Sequence, residues 1–228
     1  MFLNIGRLYG HHLAAIDGDF GHVKDFYLDD RTWIVRYVVA DTGSWLTGRK
    51  VLIHPQSFLT LKHTGKRLQV NLTKKQIEDS PLIGTDEPVS RQFEETYFEH
   101  YLHFRPYYRE NDDAWHQKSI PMTDMPRIPQ AELGSPHLRS TQAMLGYRLN
   151  GIDGEIGHLE DFLMDDSDWT IRQLVITIGG KHSGHHVQVP TSQVVGIDFA
   201  NAMVSVSLTR IAVEQNPLYQ LQAASTGG

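Results

Sequence analysis

Short apolar and β-branched runs alternate with polar turn signals along most of this chain, a rhythm that predicts strands rather than helices. Residues 13–17 read as a first strand, and Asp17-Gly18 as a tight turn, because glycine accepts the positive φ such a turn requires. Residues 23–28 are the returning strand. Asp29-Asp30-Arg31-Thr32 is a polar turn, and Val35-Arg36-Tyr37-Val38-Val39 is β-branched and aromatic, favouring a third strand. Residues 43–48 form a loop between two glycines. Residues 51–53 and 68–72 are later strands, and Thr73-Lys74-Lys75-Gln76-Ile77 makes one helical turn before Ser80-Pro81.

The whole pattern then returns. Ile16-Asp17-Gly18-Asp19-Phe20-Gly21-His22 reappears as Ile152-Asp153-Gly154-Glu155-Ile156-Gly157-His158, an offset of 136 residues. The offset holds without a gap from 8–82 to 144–218. It carries Asp25 onto Asp161, Asp29-Asp30 onto Asp165-Asp166, Trp33 onto Trp169 and Arg36 onto Arg172, with 23 identities in 75 aligned pairs. Chance at ordinary amino-acid usage gives roughly five. The chain is a duplication, and its function has to use two copies.

Between the copies the period changes. Phe93, Tyr97, Tyr101 and Phe104 fall at helical spacing, with Glu94, Glu95 and Glu99 mostly off that stripe, and Ser90 is placed as an N-cap. The stretch breaks at Arg105-Pro106. Four prolines within 111–140 mark an extended linker. The expected organisation is a first domain at 1–83, a linker at 84–140 with an amphipathic helix at about 89–104, a second domain at 141–220 and a flexible tail at 221–228.

Composition narrows the chemistry. The chain has 228 residues and no cysteine, which excludes disulfides, thiolate metal sites and cysteine nucleophiles. No apolar run approaches 18 residues, so no membrane insertion is expected, and residues 1–7 are too short and mixed for a signal peptide. A cytoplasmic protein is the expectation. The net charge of −6 is uneven: 8–82 carries +2, 83–143 carries −4 and 144–218 carries −5. Nucleic-acid binding by the whole chain is disfavoured, because phosphate contacts need a positive field.

The run Asp-Gly-x-x-Gly-His-[Val/Leu]-x-Asp-Phe-x-x-Asp-Asp-x-x-Trp-x-[Val/Ile]-Arg, present in both copies, resembles the PRC-barrel family. In the first copy the likeness continues through residues 38–53. The order of copy, aromatic-acidic helix and copy is similar to tandem PRC-barrel proteins of bacteria. The resemblance implies a mainly β chain of two small barrels of about six strands, joined by a helix-containing linker. Relatives such as the photosynthetic reaction-centre H subunit and the ribosome maturation factor imply protein or ribonucleoprotein partners rather than bond chemistry. Neither the membrane helix of the first nor the separate N-terminal domain of the second is expected here, so neither specific role is expected to carry over.

Residue by residue, the shared positions read as structural. Asp17, Gly18 and Gly21, with Asp153, Gly154 and Gly157, are turn positions. Asp29-Asp30 and Asp165-Asp166 read as turns in which aspartate caps backbone amides, over a metal or catalytic pair. Asp25 with Arg36, and Asp161 with Arg172, are expected to form ion pairs across neighbouring strands. Trp33 and Trp169 are expected to cap the core. No phosphate loop, Gly-x-Ser-x-Gly or His-Glu-x-x-His motif is present, so neither an enzyme nor a cofactor is expected. His182, His185 and His186 lack a fixed metal-ligand spacing and read as exposed polar residues, not a metal site.

Two features read as partner-binding. One is the loop bearing Trp45, Leu46, Arg49 and Lys50, which the second copy replaces with Lys181-His182-Ser183-Gly184-His185-His186. Trp and Arg are favoured interface anchors. The other is the stripe Phe93, Tyr97, Tyr101 and Phe104, suited to packing on a barrel or to a homodimer or partner surface. The expectation is a non-enzymatic assembly module that binds a protein partner. The alternative is an RNA- or ribosome-associated factor using Arg49, Lys50, Lys62, Lys66, Arg67, Lys74 and Lys75 of the first copy.

Overall fold

The computed structural model describes residues 1–60, 66–80, 137–179 and 184–219. The expected helix at 89–104, most of the linker and the 221–228 tail lie outside the described residues. The described chain is mainly β, arranged as two seven-stranded sheets. The first copy supplies β2 (His12–Ala15), β3 (Gly18–Asp29), β4 (Val35–Asp41), β5 (Lys50–Ile53), β6 (Phe58–Thr60) and β7 (Arg67–Val70). The second supplies β9 (Arg148–Gly151), β10 (Gly154–Asp165), β11 (Ile171–Ile178), β12 (His185–Pro190), β13 (Val194–Asp198) and β14 (Met203–Val206). Two short strands precede the copies: β1 (Phe2–Asn4) and β8 (Leu138–Ser140).

The sheet paths are β5-β4-β3-β2-β7-β6 and β12-β11-β10-β9-β14-β13, the same order strand for strand. In each, the pair β2–β7 or β9–β14 is parallel. The two ends of the second path, β12 and β13, are joined by only the turn Thr191–Gln193. Three residues reach about 10 Å at most. Laid flat, a six-strand path would hold its ends roughly 24 Å apart. The sheet therefore curls enough to bring one end of β12 within a short turn of β13, while the two remain unpaired at opposite ends of the hydrogen-bonded path. His54 and the turn Pro55–Ser57 make the same link between β5 and β6.

Local sequence accounts for the frame. A Cβ on Gly21 would fall well inside van der Waals contact with the Asp41 carbonyl oxygen, and one on Gly157 would do the same to Thr177. These glycines let β3 and β10 run past the neighbouring backbone. Each copy ends in a one-turn helix, Lys74–Glu78 or Arg210–Glu214, capped by Thr73 or Thr209. The hairpin aspartate adds a second cap: Asp17 accepts the Lys74 amide and Asp153 the Arg210 amide, both at 2.8 Å. Carboxylates are favoured at that end of a helix because its first amides lack intrahelical partners.

By its contacts the chain divides into two compact units. One comprises Met1–Tyr9, Asp25–Arg36 and Arg139–Gly228, and the other Gly10–Lys24 and Tyr37–Leu138. The second of these buries Leu13, Phe20, Tyr37, Val38, Leu52 and Ile77. The first buries Phe162, Met164, Leu174, Ile176, Val187 and Val189, together with Phe26 and Leu28 from the first copy. The unit boundaries thus run across the repeat: the tip of the first copy's long hairpin packs with the second copy.

The contacts behind that packing are reciprocal. Strand β1 pairs with β10, and β8 pairs with β3. Ile34 and Thr170 form an antiparallel bridge. The Trp169 carbonyl accepts the Val35 amide at 2.9 Å, and the Trp33 carbonyl accepts the Ile171 amide at 2.8 Å. Both tryptophans sit at left-handed φ, 61° and 57°, which costs energy for a bulky residue. Trp33 is buried, while Trp169 is half-buried. In both copies the backbone carbonyl at this position holds the other copy.

Candidate functional site

The loop between β4 and β5 folds back on itself. Asp41 accepts the Gly43 amide at 2.9 Å, the Thr42 hydroxyl donates to the Arg49 carbonyl at 2.7 Å, and the Gly48 amide donates to the Gly43 carbonyl at 2.6 Å. Left-handed φ at Gly43, Thr47 and Gly48 closes the turns. Trp45 is half-buried, edge-on to Phe20 at 6.5 Å between ring centroids. The Lys74 ammonium sits 4.5 Å over the Trp45 ring, within the range of a cation–π contact. Leu46 is half-buried, and Ser44, Thr47 and Lys50 are exposed.

Arg49, expected at a partner surface, has inward work. Its guanidinium donates to the Glu78 carbonyl at 2.8 Å and to the Ser80 carbonyl. These carbonyls lie at and just past the C-terminal end of the helix Lys74–Glu78, where a cation is favoured. Arg49 therefore ties the loop to the helix end, while Lys50 is exposed and Trp45 and Lys74 are half-buried against each other. Sequence reading missed Phe20 and Lys74 as neighbours of Trp45. Strand order brings them there, and nothing local signals it.

Among the described residues of the second copy this arrangement has no counterpart. Position 49 becomes His185, exposed on β12, and His186 beside it is half-buried. The Asn216 amide nitrogen, at the position of Ser80, is buried without a hydrogen-bond partner among the described residues. His182 lies outside the described residues, as do Lys62, Phe93, Tyr97, Tyr101 and Phe104. Among the described residues no three His, Asp or Glu side chains are placed to hold a metal ion.

The expected Asp25–Arg36 and Asp161–Arg172 ion pairs are not formed. Asp25 accepts from the Phe26 amide at 2.7 Å, the Ser140 hydroxyl at 2.5 Å, the Thr141 hydroxyl at 3.0 Å and the Gln142 amide at 3.1 Å. Asp161 accepts the Phe162 amide at 2.7 Å and the Gly6 amide at 2.9 Å, while Arg172 pairs with Asp168. The reason is direction: both aspartates are buried, whereas Arg172 points to solvent. Burial pushes the Asp161 carboxyl above its ordinary range, against the pull of the Phe162 and Gly6 amides. Tyr9, bonded to Thr141 at 2.8 Å, is raised by the same cause.

The aspartate corners behave as turns with an added task. Asp29 accepts the amides of Arg31 and Thr32, both at 3.0 Å. Asp165 accepts the Ser167 hydroxyl and amide, which hold its carboxyl below the ordinary range. The second aspartate of each pair reaches the segment preceding the other copy. Asp30 binds Arg139 at 2.9 Å, and Asp166 binds the Met1 amine at 2.6 Å. Arg139 also lies 3.9 Å over the Phe199 ring.

No helix among the described residues is long and apolar enough to cross a membrane. No family model and no curated protein matches this chain.

Proposed function

We propose that this chain is a tandem PRC-barrel assembly module of the bacterial cytoplasm, a non-enzymatic protein that binds a protein partner through the 41–50 loop of its first copy. Each curled sheet is taken as a small barrel of the PRC type. One observation carries the reading. The positions that both copies share are spent on turns, caps and copy-to-copy contacts, while Trp45 and Lys50 of the first copy's loop, with Lys74 of the following helix over the Trp45 ring, meet Lys181, His186 and Arg210 at the same positions of the second copy, which has no aromatic there. An aromatic ring with the Lys74 cation over it, in a loop that also exposes Lys50, suits a partner with an acidic or carboxylate-rich face. The aromatic stripe Phe93, Tyr97, Tyr101 and Phe104, read from the sequence alone, is proposed as a second contact, to a partner or to a second copy of the chain.

The RNA reading is less well supported. Three of its seven cations are engaged within the chain, Arg49 with the helix carbonyls, Arg67 with Asp19 at 2.6 Å and Lys75 with Asp79 at 2.7 Å. The test is retention of native partners by the wild-type chain and by Trp45→Ala with Lys50→Glu, at several salt concentrations. Loss of a discrete protein in the variant supports the proposal. Unchanged retention overturns the loop, and nuclease-sensitive, steeply salt-dependent retention of RNA points to the alternative.

A further inference from the structure

The segments leading into the two copies, residues 1–7 and 137–143, share no identical residue at the 136 offset. Their structures correspond nonetheless. Strands β1 and β8 are displaced by that same offset. Each is followed by a single helical turn, Ile5–Arg7 or Thr141–Met144, capped by a side chain: Asn4 accepts the Arg7 amide and Ser140 the Ala143 amide, both at 3.0 Å. Each turn then offers its second amide to a buried aspartate of the other copy, Gly6 to Asp161 and Gln142 to Asp25. With the Trp33 and Trp169 carbonyl bonds, the contacts repeat under exchange of the copies. That is the mark of an isologous interface, in which residue i meets j and j meets i.

Such an interface is complete on each copy: a strand to add, an edge to receive one, and a buried carboxylate to fix the register. It also contains a specificity element. A Cβ on Gly6 would strike the Asp161 carboxylate well inside contact distance. The second lead-in carries Gln142 at that position, so it does not fit Asp161 as the first lead-in does. We propose that the lead-in segments and the Trp33 and Trp169 hairpins form a self-recognition surface, whose partner is another copy of the repeat and which holds without the connecting segment. Gly6 makes it directional: the second copy accepts a first copy and rejects another second copy. The tandem chain is then a tethered dimer of unlike halves. This inference does not depend on the partner proposed for the 41–50 loop.

The experiment uses the full chain with a protease site inserted between residues 110 and 111, cut after folding and run on size exclusion with light scattering. The expected result is that both fragments elute together at the mass of the uncut chain. Gln142→Ala is expected to leave co-elution unchanged, and Gly6→Ala to weaken fragment association at least tenfold, with an unaltered circular dichroism spectrum in the uncut chain. Should Gly6→Ala fail to fold, the uncut-and-then-cut variant lacking residues 1–7 supplies the same reading. Separation of the wild-type fragments overturns the proposal. So does fragment association that is no weaker after removal of residues 1–7.

Discussion

The amide of Gly6 donates to Oδ1 of Asp161 at 2.9 Å, joining residues 155 positions apart. A Cβ added at Gly6 would strike the Asp161 carboxylate unless that side chain shifted. The matched bond from Gln142 to Asp25 places this contact in a two-fold scheme, so each copy's lead-in is ordered by the other copy's buried acid.

Asp161 should leave a signature in the pH dependence of stability. Its folded pKa is raised above the unfolded value, chiefly by burial. A carboxyl raised on folding contributes stability that is full below the unfolded pKa, about 3.9, and is lost as pH rises through the folded value. Asp161→Asn removes that titration. The stability of the variant relative to wild type should therefore increase between pH 3 and pH 7 in urea titrations, whatever constant offset the new amide brings. A difference independent of pH would contradict the burial assigned to this carboxylate.

The close-approach glycines should be intolerant. Gly21→Ala and Gly157→Ala each force a Cβ onto a backbone carbonyl and should cost about 1–3 kcal/mol by thermal or chemical denaturation. Gly10→Ala is the control: its φ is +74° but nothing lies within 4 Å of the new Cβ. It should cost about 1–2 kcal/mol, from left-handed backbone alone.

Arg49 and Lys50 should separate, though adjacent and alike in charge. Arg49→Ala strips charged donors from the carbonyls of Glu78 and Ser80. The half-buried site argues for a loss of about 1–2 kcal/mol. Lys50→Ala, at an exposed position, should stay within about 0.5 kcal/mol of wild type. Equal losses would mean that Arg49 does not hold the helix end.

Much of the repeated frame is readable in the sequence because its causes are local. The Asp17-Gly18 hairpin, the Asp29 turn and the Thr73 cap each depend on residues within a few positions, and the apolar runs mark β4 and β5 directly. The lead-in exchange is not readable in that way. Strands β1 and β8 are three residues long, share no identity, and pair with strands far away in the chain. Asp25 and Asp161 look like partners for the nearby arginines until those strands are placed. Arg49 misleads for a similar reason: its partners, at 78 and 80, come near only through the sheet path. One sign was present at the 136 offset, where Asn4 and Ser140 are both N-cap residues.

The most direct test of the partner proposal is site-specific photo-crosslinking in the native cell, with the probe at exposed Thr47 in the first copy's loop and, for comparison, at exposed Ser167 in the second copy. The account predicts a discrete protein adduct from position 47 that disappears in the Trp45→Ala, Lys50→Glu background and is not formed from position 167. The same adduct from both positions, or one that persists without Trp45 and Lys50, would contradict it.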